Sequence, residues 1–111
     1  MLIYKIMTPP QWEAFRNIGQ FDGAPIDITD GFIHFSTASQ MVETATKHFA
    51  DAGDLVLAWS DTAALGDTLK WEVSRGGAEF PHLYATWSMD QVVGHAPLPF
   101  VNGAHIFPEA P

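Results

Sequence analysis

The stretch Leu69-Lys70-Trp71-Glu72-Val73-Ser74-Arg75-Gly76-Gly77-Ala78-Glu79-Phe80-Pro81-His82-Leu83-Tyr84-Ala85-Thr86-Trp87 decides the fold class. Its opening alternates Leu69, Trp71 and Val73 against Lys70, Glu72 and Ser74, the period of a half-buried strand. Arg75-Gly76-Gly77 turns the chain. After Pro81 the run His82 to Trp87 alternates again, with His82, Tyr84 and Thr86 opposite Leu83, Ala85 and Trp87. Parallel neighbours need a crossover of about a dozen residues or more, and the connections here are far shorter. Helices and strands intermix elsewhere in the chain, so the expected class is α+β in a single domain.

Upstream, Leu2 to Met7 sets Leu2, Tyr4 and Ile6 against Ile3, Lys5 and Met7, a mostly buried strand. Thr8 and Gln11 form a capping box around Pro9, and the helix they start ends at Gly19, with Trp12 and Phe15 as anchors. Phe21 to Thr29 has no period and reads as a loop. Phe32 to Ser36 is aromatic and β-branched, a second strand. Thr37 and Gln40 make another capping box, followed at helical spacing by Ala38, Met41, Val42, Ala45 and Phe49 up to Gly53. Leu55 to Trp59 is a continuous apolar run, the mark of a central strand covered on both faces. Asp61 to Gly66 fits one helical turn. Downstream, Ser88 caps a short turn through Val92. Four prolines follow before the end of the chain, so residues 97–111 are expected to wrap the surface as an extended tail on a domain of residues 1–96.

Composition removes several classes of function. A 111-residue chain with 47% hydrophobic and 16% charged residues is too apolar for disorder, and too short for two cores. Its longest apolar run is far below the roughly 20 residues that span a bilayer. The first ten residues lack a basic flank followed by an apolar stretch, so no export signal is expected. The absence of cysteine excludes disulfides and thiolate metal sites and suits a reducing cytoplasm. Thirteen acids against five bases give a net charge of −8, which repels nucleic acids and anionic membranes. Oligomeric state is not legible.

No HExxH, GxSxG, P-loop or GxGxxG motif is present. Chemistry-bearing residues lie instead in the strands. Residues two apart share a face, so His34 joins Ser36, Glu72 joins Lys70 and Ser74, and His82 joins Tyr84. If the three strands are neighbours with these faces aligned, His34, Ser36, Glu72, His82 and Tyr84 converge in one cleft. The same alternation arises on any sheet with one wetted face. His34 among Phe32, Ile33 and Phe35 is either a hydrogen-bonded core residue or a ligand group. His82, after a proline at a strand start, borders loops where sites gather. His48 falls near a helix C-terminus, and His95 and His105 have no informative neighbours.

The strings Asp30-Gly31-Phe32-Ile33-His34-Phe35-Ser36-Thr37, Gln40, Asp54-Leu55-Val56-Leu57, Trp71-Glu72 and Phe80-Pro81-His82-Leu83-Tyr84 resemble the uncharacterised bacterial family called domain of unknown function 952. The likeness runs in order from residue 2 to about residue 95. That family looks like a small member of the ADP-ribosyltransferase superfamily. The resemblance implies a mixed, split sheet with two main helices, gripping nicotinamide adenine dinucleotide (NAD) between its halves. It implies motif positions at Lys5, at Phe32 to Thr37 and at Glu72, while no superfamily role transfers cleanly to His82 and Tyr84; with the shared strand face, the expected catalytic residues are Glu72, His34 and His82 and the expected cofactor contacts Lys5, Phe32, His34, Phe35, Ser36 and Tyr84. Glu72 would be the acid that steadies the oxocarbenium-like centre as nicotinamide departs, with Phe35 or Tyr84 against the ring and the Phe21 to Thr29 loop as a lid. Two departures stand out. Relatives read I-Y-H-I where this chain reads Ile3-Tyr4-Lys5-Ile6, and the superfamily's Gln/Glu-x-Glu turn is missing near Glu72.

The leading expectation is therefore an ADP-ribosyltransferase-like domain that binds NAD or a related nucleotide, with no metal required. One alternative is a non-catalytic small-molecule or protein-binding module of the same fold. Another is a metal-dependent enzyme using His34, His82 and Glu72 as a two-histidine, one-carboxylate set.

Overall fold

Residues 1–108 are described by the computed structural model; the last three residues of the expected tail lie outside the described residues. Strand β1 (Leu2–Met7) leads into helix α1 (Pro9–Ile18), then β2 (Gln20–Phe21), α2 (Pro25–Asp30), β3 (Ile33–His34) and α3 (Met41–His48). Next come β4 (Leu55–Asp61), α4 (Thr62–Leu65), β5 (Leu69–Val73), β6 (Glu79–Leu83) and β7 (Trp87–Ser88). A hydrogen-bonded turn over Met89–Gln91 precedes β8 (Val92–Leu98), β9 (Phe100–Val101) and β10 (Ala104–His105).

Two three-stranded sheets organise the chain, β1-β4-β8 and β3-β6-β5. They meet at one backbone bridge, where the Tyr4 and Ser36 amides donate to each other's carbonyls at 2.7 and 2.8 Å. The sheet is thus split, as expected. It is not mixed, because every pairing among the described residues is antiparallel. β5 and β6 are joined by a five-residue turn (74–78), far too short for a parallel crossover.

Burial on two faces explains the apolar run in β4. Ile3, Met7 and Ala58 face Trp12 and Phe15 of α1, while Tyr4, Ile6, Leu55 and Leu57 face Met41 and Ala45 of α3. Buried Ser60 is satisfied within this core: it accepts from Trp87 Nε1 at 2.9 Å and donates to the Gln91 carbonyl at 2.6 Å. The Thr8/Gln11 capping box, the Gly19 cap, the Asp61 turn and the Ser88 cap all form as expected.

Several readings are corrected. The segment Phe21 to Thr29 is not all loop, since Pro25 opens α2, Asp27 accepts from the Ala24 amide at 2.7 Å, and Gly31 caps the end. The second strand shrinks from Phe32–Ser36 to Ile33–His34. Phe35 donates to the Pro81 carbonyl at 3.0 Å, but proline has no N–H to return, and the ladder stops. The second capping box is partial: Gln40 Oε1 accepts from the Thr37 amide, while Thr37 Oγ1 pairs with Ser39 instead of the backbone. Helix α3 then begins at Met41 and ends before Gly53, burying Met41 and Ala45 and leaving Ala38 and Val42 exposed. β6 starts before Pro81, so His82 is an interior strand residue and not its first. Trp71 and Val73 are exposed at 39% and 69%, because β5 is an edge strand reaching past the core. Val92–Leu98 is a strand along β4 with Leu98 buried, so the 96/97 boundary falls inside β8, and the chain beyond it forms the β9–β10 hairpin in place of an extended wrap.

Candidate functional site

The register of the second sheet decides which side chains meet. His34 on β3 lies opposite His82 on β6, and His82 lies opposite Lys70 on β5, so all three share one face. Glu72 and Tyr84, two residues further along their chains, join that face. The rings of His34 and His82 stand 5.4 Å apart, edge to face, and Phe32 stacks on His82 at 4.1 Å.

Beside this face, at the junction of the two sheets, opens a cleft of about 570 Å3. Its lining includes the polar residues Lys5, Asp30, His34, Ser36 and His82 and the apolar residues Ile6, Ile26, Phe49 and Phe80. Of the residues expected there, Lys5, His34, Phe35, Ser36 and His82 line it. Glu72, Tyr84 and Phe32 do not, because they stand behind His82. The residues expected to act as a lid are in part α2, whose Pro25 and Ile26 form one wall.

Bonded to Lys5 and His34 but outside the lining is Asp27, 1% exposed. Its carboxylate accepts from Lys5 Nζ at 3.1 Å (Oδ1) and 2.9 Å (Oδ2), from the His34 amide at 3.1 Å, and from the Ala24 amide at 2.7 Å. His34 Nδ1 lies 2.6 Å from Oδ1, and His34 Nε2 reaches Asp30 Oδ2 at 3.0 Å. Burial raises the Asp27 pKa, but the His34 hydrogen bond, the Lys5 charge and bond, and the Ala24 amide outweigh it and hold the group at about 2. Lys5 goes the other way: burial pushes its pKa down, and Asp27 alone opposes that with charge and a hydrogen bond. The pair is asymmetric because Asp27 has several donors and Lys5 one acceptor.

Sequence reading missed Asp27. The available signal was Pro25 at the first helical position with an acid two residues on, ahead of Gly31. Gly23 belongs to the same device. At φ +130°, a Cβ there would lie 2.7 Å from the Asp27 Cβ, so glycine lets the chain cross over the carboxylate.

A second polar cluster backs His82. Glu72 Oε1 accepts from His82 Nδ1 at 2.8 Å and from the Tyr84 hydroxyl at 2.7 Å. These two bonds, that from Tyr84 first, lower the Glu72 pKa, and the same contact raises that of Tyr84. His82 is 4% exposed, and its Nε2 has no hydrogen-bond partner among the described residues. Ser36 Oγ lies 3.1 Å from Thr44 Oγ1, tying α3 to the junction. Away from the cleft, His95 packs on Trp12 and His105 Nε2 donates to the Gly53 carbonyl. With both His34 nitrogens on carboxylates and His82 Nδ1 on Glu72, these residues do not converge as metal ligands, and no group of three or more His, Asp or Glu placed to hold a metal occurs among the described residues.

A split, antiparallel α+β domain with a cleft at the sheet junction, where the buried Lys5–Asp27 pair meets half-buried His34, is the class that fold and site define. The chain belongs to the family described as Protein of unknown function (DUF952), which matches residues 6–95. It is similar to protein CC0527 from Caulobacter crescentus. The crystal structure of that protein is 43% identical and superposes with a TM-score of 0.91, covering 96% of this chain and 94% of that one. Its solution NMR structure gives 43% identity and a TM-score of 0.84 over 94% and 90% of the two chains. No curated protein matches. No helix among the described residues is long and apolar enough to cross a membrane.

Proposed function

We propose that the chain binds a nucleotide-type small molecule, with NAD as the reference ligand, in the cleft between its two sheets. The observation that carries this reading is His82, a residue of the cleft lining whose buried Nε2 has no hydrogen-bond partner among the described residues. A buried polar group without a partner costs about 1–3 kcal/mol, which a ligand's hydrogen bond recovers. The volume of about 570 Å3 falls within the range of small-molecule sites. A lining that combines polar and apolar side chains suits a ligand with a sugar and an aromatic base.

The resemblance to ADP-ribosyltransferases motivates the choice of NAD. Lys5 on β1 and Ser36 after β3 flank the junction, at the positions the resemblance assigns to dinucleotide contacts. Glu72 is engaged with His82 and Tyr84 outside the cleft lining, so the function proposed is binding and stops short of group transfer.

An amide-resolved NMR titration with NAD, ADP-ribose and nicotinamide separately tests this. Shifts are expected at Lys5, His34 to Ser36 and His82, and His82→Leu should weaken binding about tenfold or more while the chain stays folded. No shifts at millimolar ligand would overturn the reading.

A further inference from the structure

We infer that His82 makes the cleft selective for a neutral hydrogen-bond donor, a sugar hydroxyl or a primary carboxamide, and against a bare phosphate at that position. This rests on the binding reading above and names the part of the ligand that reaches the deepest polar atom.

The inference follows from where the imidazole proton must be. Glu72 Oε1 lies within hydrogen-bond distance of His82 Nδ1 and of the Tyr84 hydroxyl. An ionised carboxylate only accepts, so Nδ1 carries the proton. A neutral imidazole protonated at Nδ1 presents a lone pair at Nε2. Packing keeps the ring in that orientation, because Phe32 stacks on it at 4.1 Å with planes 22° apart and His34 meets it edge-on. Of the neighbouring basic groups, Lys5 Nζ is paired with Asp27, His34 lies between Asp27 and Asp30, and Lys70, across the ladder from His82, is not part of the cleft lining; His48, at the end of α3, also lines the cleft. His82 lines the cleft, and its Nε2, buried and unsatisfied by any described residue, is the acceptor this residue has left to offer a ligand. Phosphate oxygens would set lone pair against lone pair there; a hydroxyl or amide N–H would complete the site. Glu72 and Tyr84 are positioning residues that act through His82.

The test uses the full chain with 15N-labelled histidine, read by long-range proton–nitrogen NMR at about pH 8, where a free imidazole is neutral. The free protein should show His82 protonated at Nδ1 and bare at Nε2. Ribose and nicotinamide should move the Nε2 resonance, and methyl phosphate, a dianion with no proton to donate at this pH, should not. Glu72→Ala, at a half-exposed edge-strand position, should keep the far-UV spectrum but give a mixed tautomer, and Tyr84→Phe should shift the balance less. A proton on Nε2 in the free protein overturns the inference, as does a response to methyl phosphate exceeding that to nicotinamide. A tautomer unchanged in Glu72→Ala overturns the positioning role. If NAD shifts Ser36 and Lys5 but leaves Nε2 unmoved, the inference falls and the nucleotide reading stands. If NAD shifts nothing, the nucleotide reading falls, while the responses to ribose and nicotinamide still decide the inference.

Discussion

Asp27 is cut off from solvent and holds its charge through donors from three places: Lys5 on β1, His34 on β3, and the Ala24 amide ahead of α2. Its two ionic partners are not equivalent. Removing the aspartate leaves Lys5, 7% exposed, without its acceptor and with burial unopposed, so the ammonium is either stranded or forced to give up its proton, whereas removing the lysine leaves Asp27 with His34 and two backbone amides. Breaking a buried pair from the side that strands a charge costs about 3–5 kcal/mol. Asp27→Ala should therefore lose about that much in urea unfolding, and Lys5→Met clearly less, its methylenes being replaced among apolar neighbours. Equal losses in the two variants would mean that the donors from His34 and the backbone contribute little. Lys5 is not a free cation, since its ammonium is paired with the Asp27 carboxylate.

At the scale of elements, Trp59 on β4 pairs with Gly94 on β8, and its indole lies against the glycine. A Cβ on Gly94 would come within 2.5 Å of the Trp59 indole, and the register slips by one residue just beyond, between Trp59 and Ser60. Gly94→Ala should destabilise by about 1–3 kcal/mol, the range for overpacking, with Trp59 fluorescence altered in the folded state; an unchanged urea midpoint and spectrum would show that the indole swings away freely. β8 also shows why part of the fold was not legible. Gly94 and Pro97 interrupt its apolar pattern, and an edge strand tolerates both, so the segment reads as tail. Helix α2 escaped for a different reason. It spans under two turns, and its Ile26 and Ile28 are exposed, so no buried stripe develops. The strand alternation was legible, and with it the shared face of His34, Glu72, His82 and Tyr84, because a period of two survives whichever strands pair. What alternation could not give was depth: it set Glu72 and His82 side by side without revealing that His82 lines the cleft and Glu72 stands behind it.

For the molecule as a whole, the split between the sheets makes Asp27 a tie between halves. β1 belongs to one sheet and β3 to the other, and besides the Tyr4–Ser36 bridge, the Lys5–Asp27–His34 contacts join them. The tie depends on the charge of Asp27, and the sign of its pH dependence is fixed. Folding lowers its pKa from 3.8 to about 2, so its contribution is complete above pH 3.8 and is lost as pH falls through about 2. At about 1.4 kcal/mol per tenfold change in proton affinity, the contribution is about 2 kcal/mol. Other carboxylates titrate in the same window, so the difference between proteins is the quantity to read. The unfolding free energy of the natural chain should fall between about pH 4 and pH 2 by about 2 kcal/mol more than that of Asp27→Asn, which has no proton to take up at this site. Urea unfolding at closely spaced pH values measures it. Parallel curves for the two proteins would mean that Asp27 ionises as an ordinary surface aspartate does, and that the sheets are held together by the apolar contacts of Trp87, Phe15 and Ile33 without help from the buried charge.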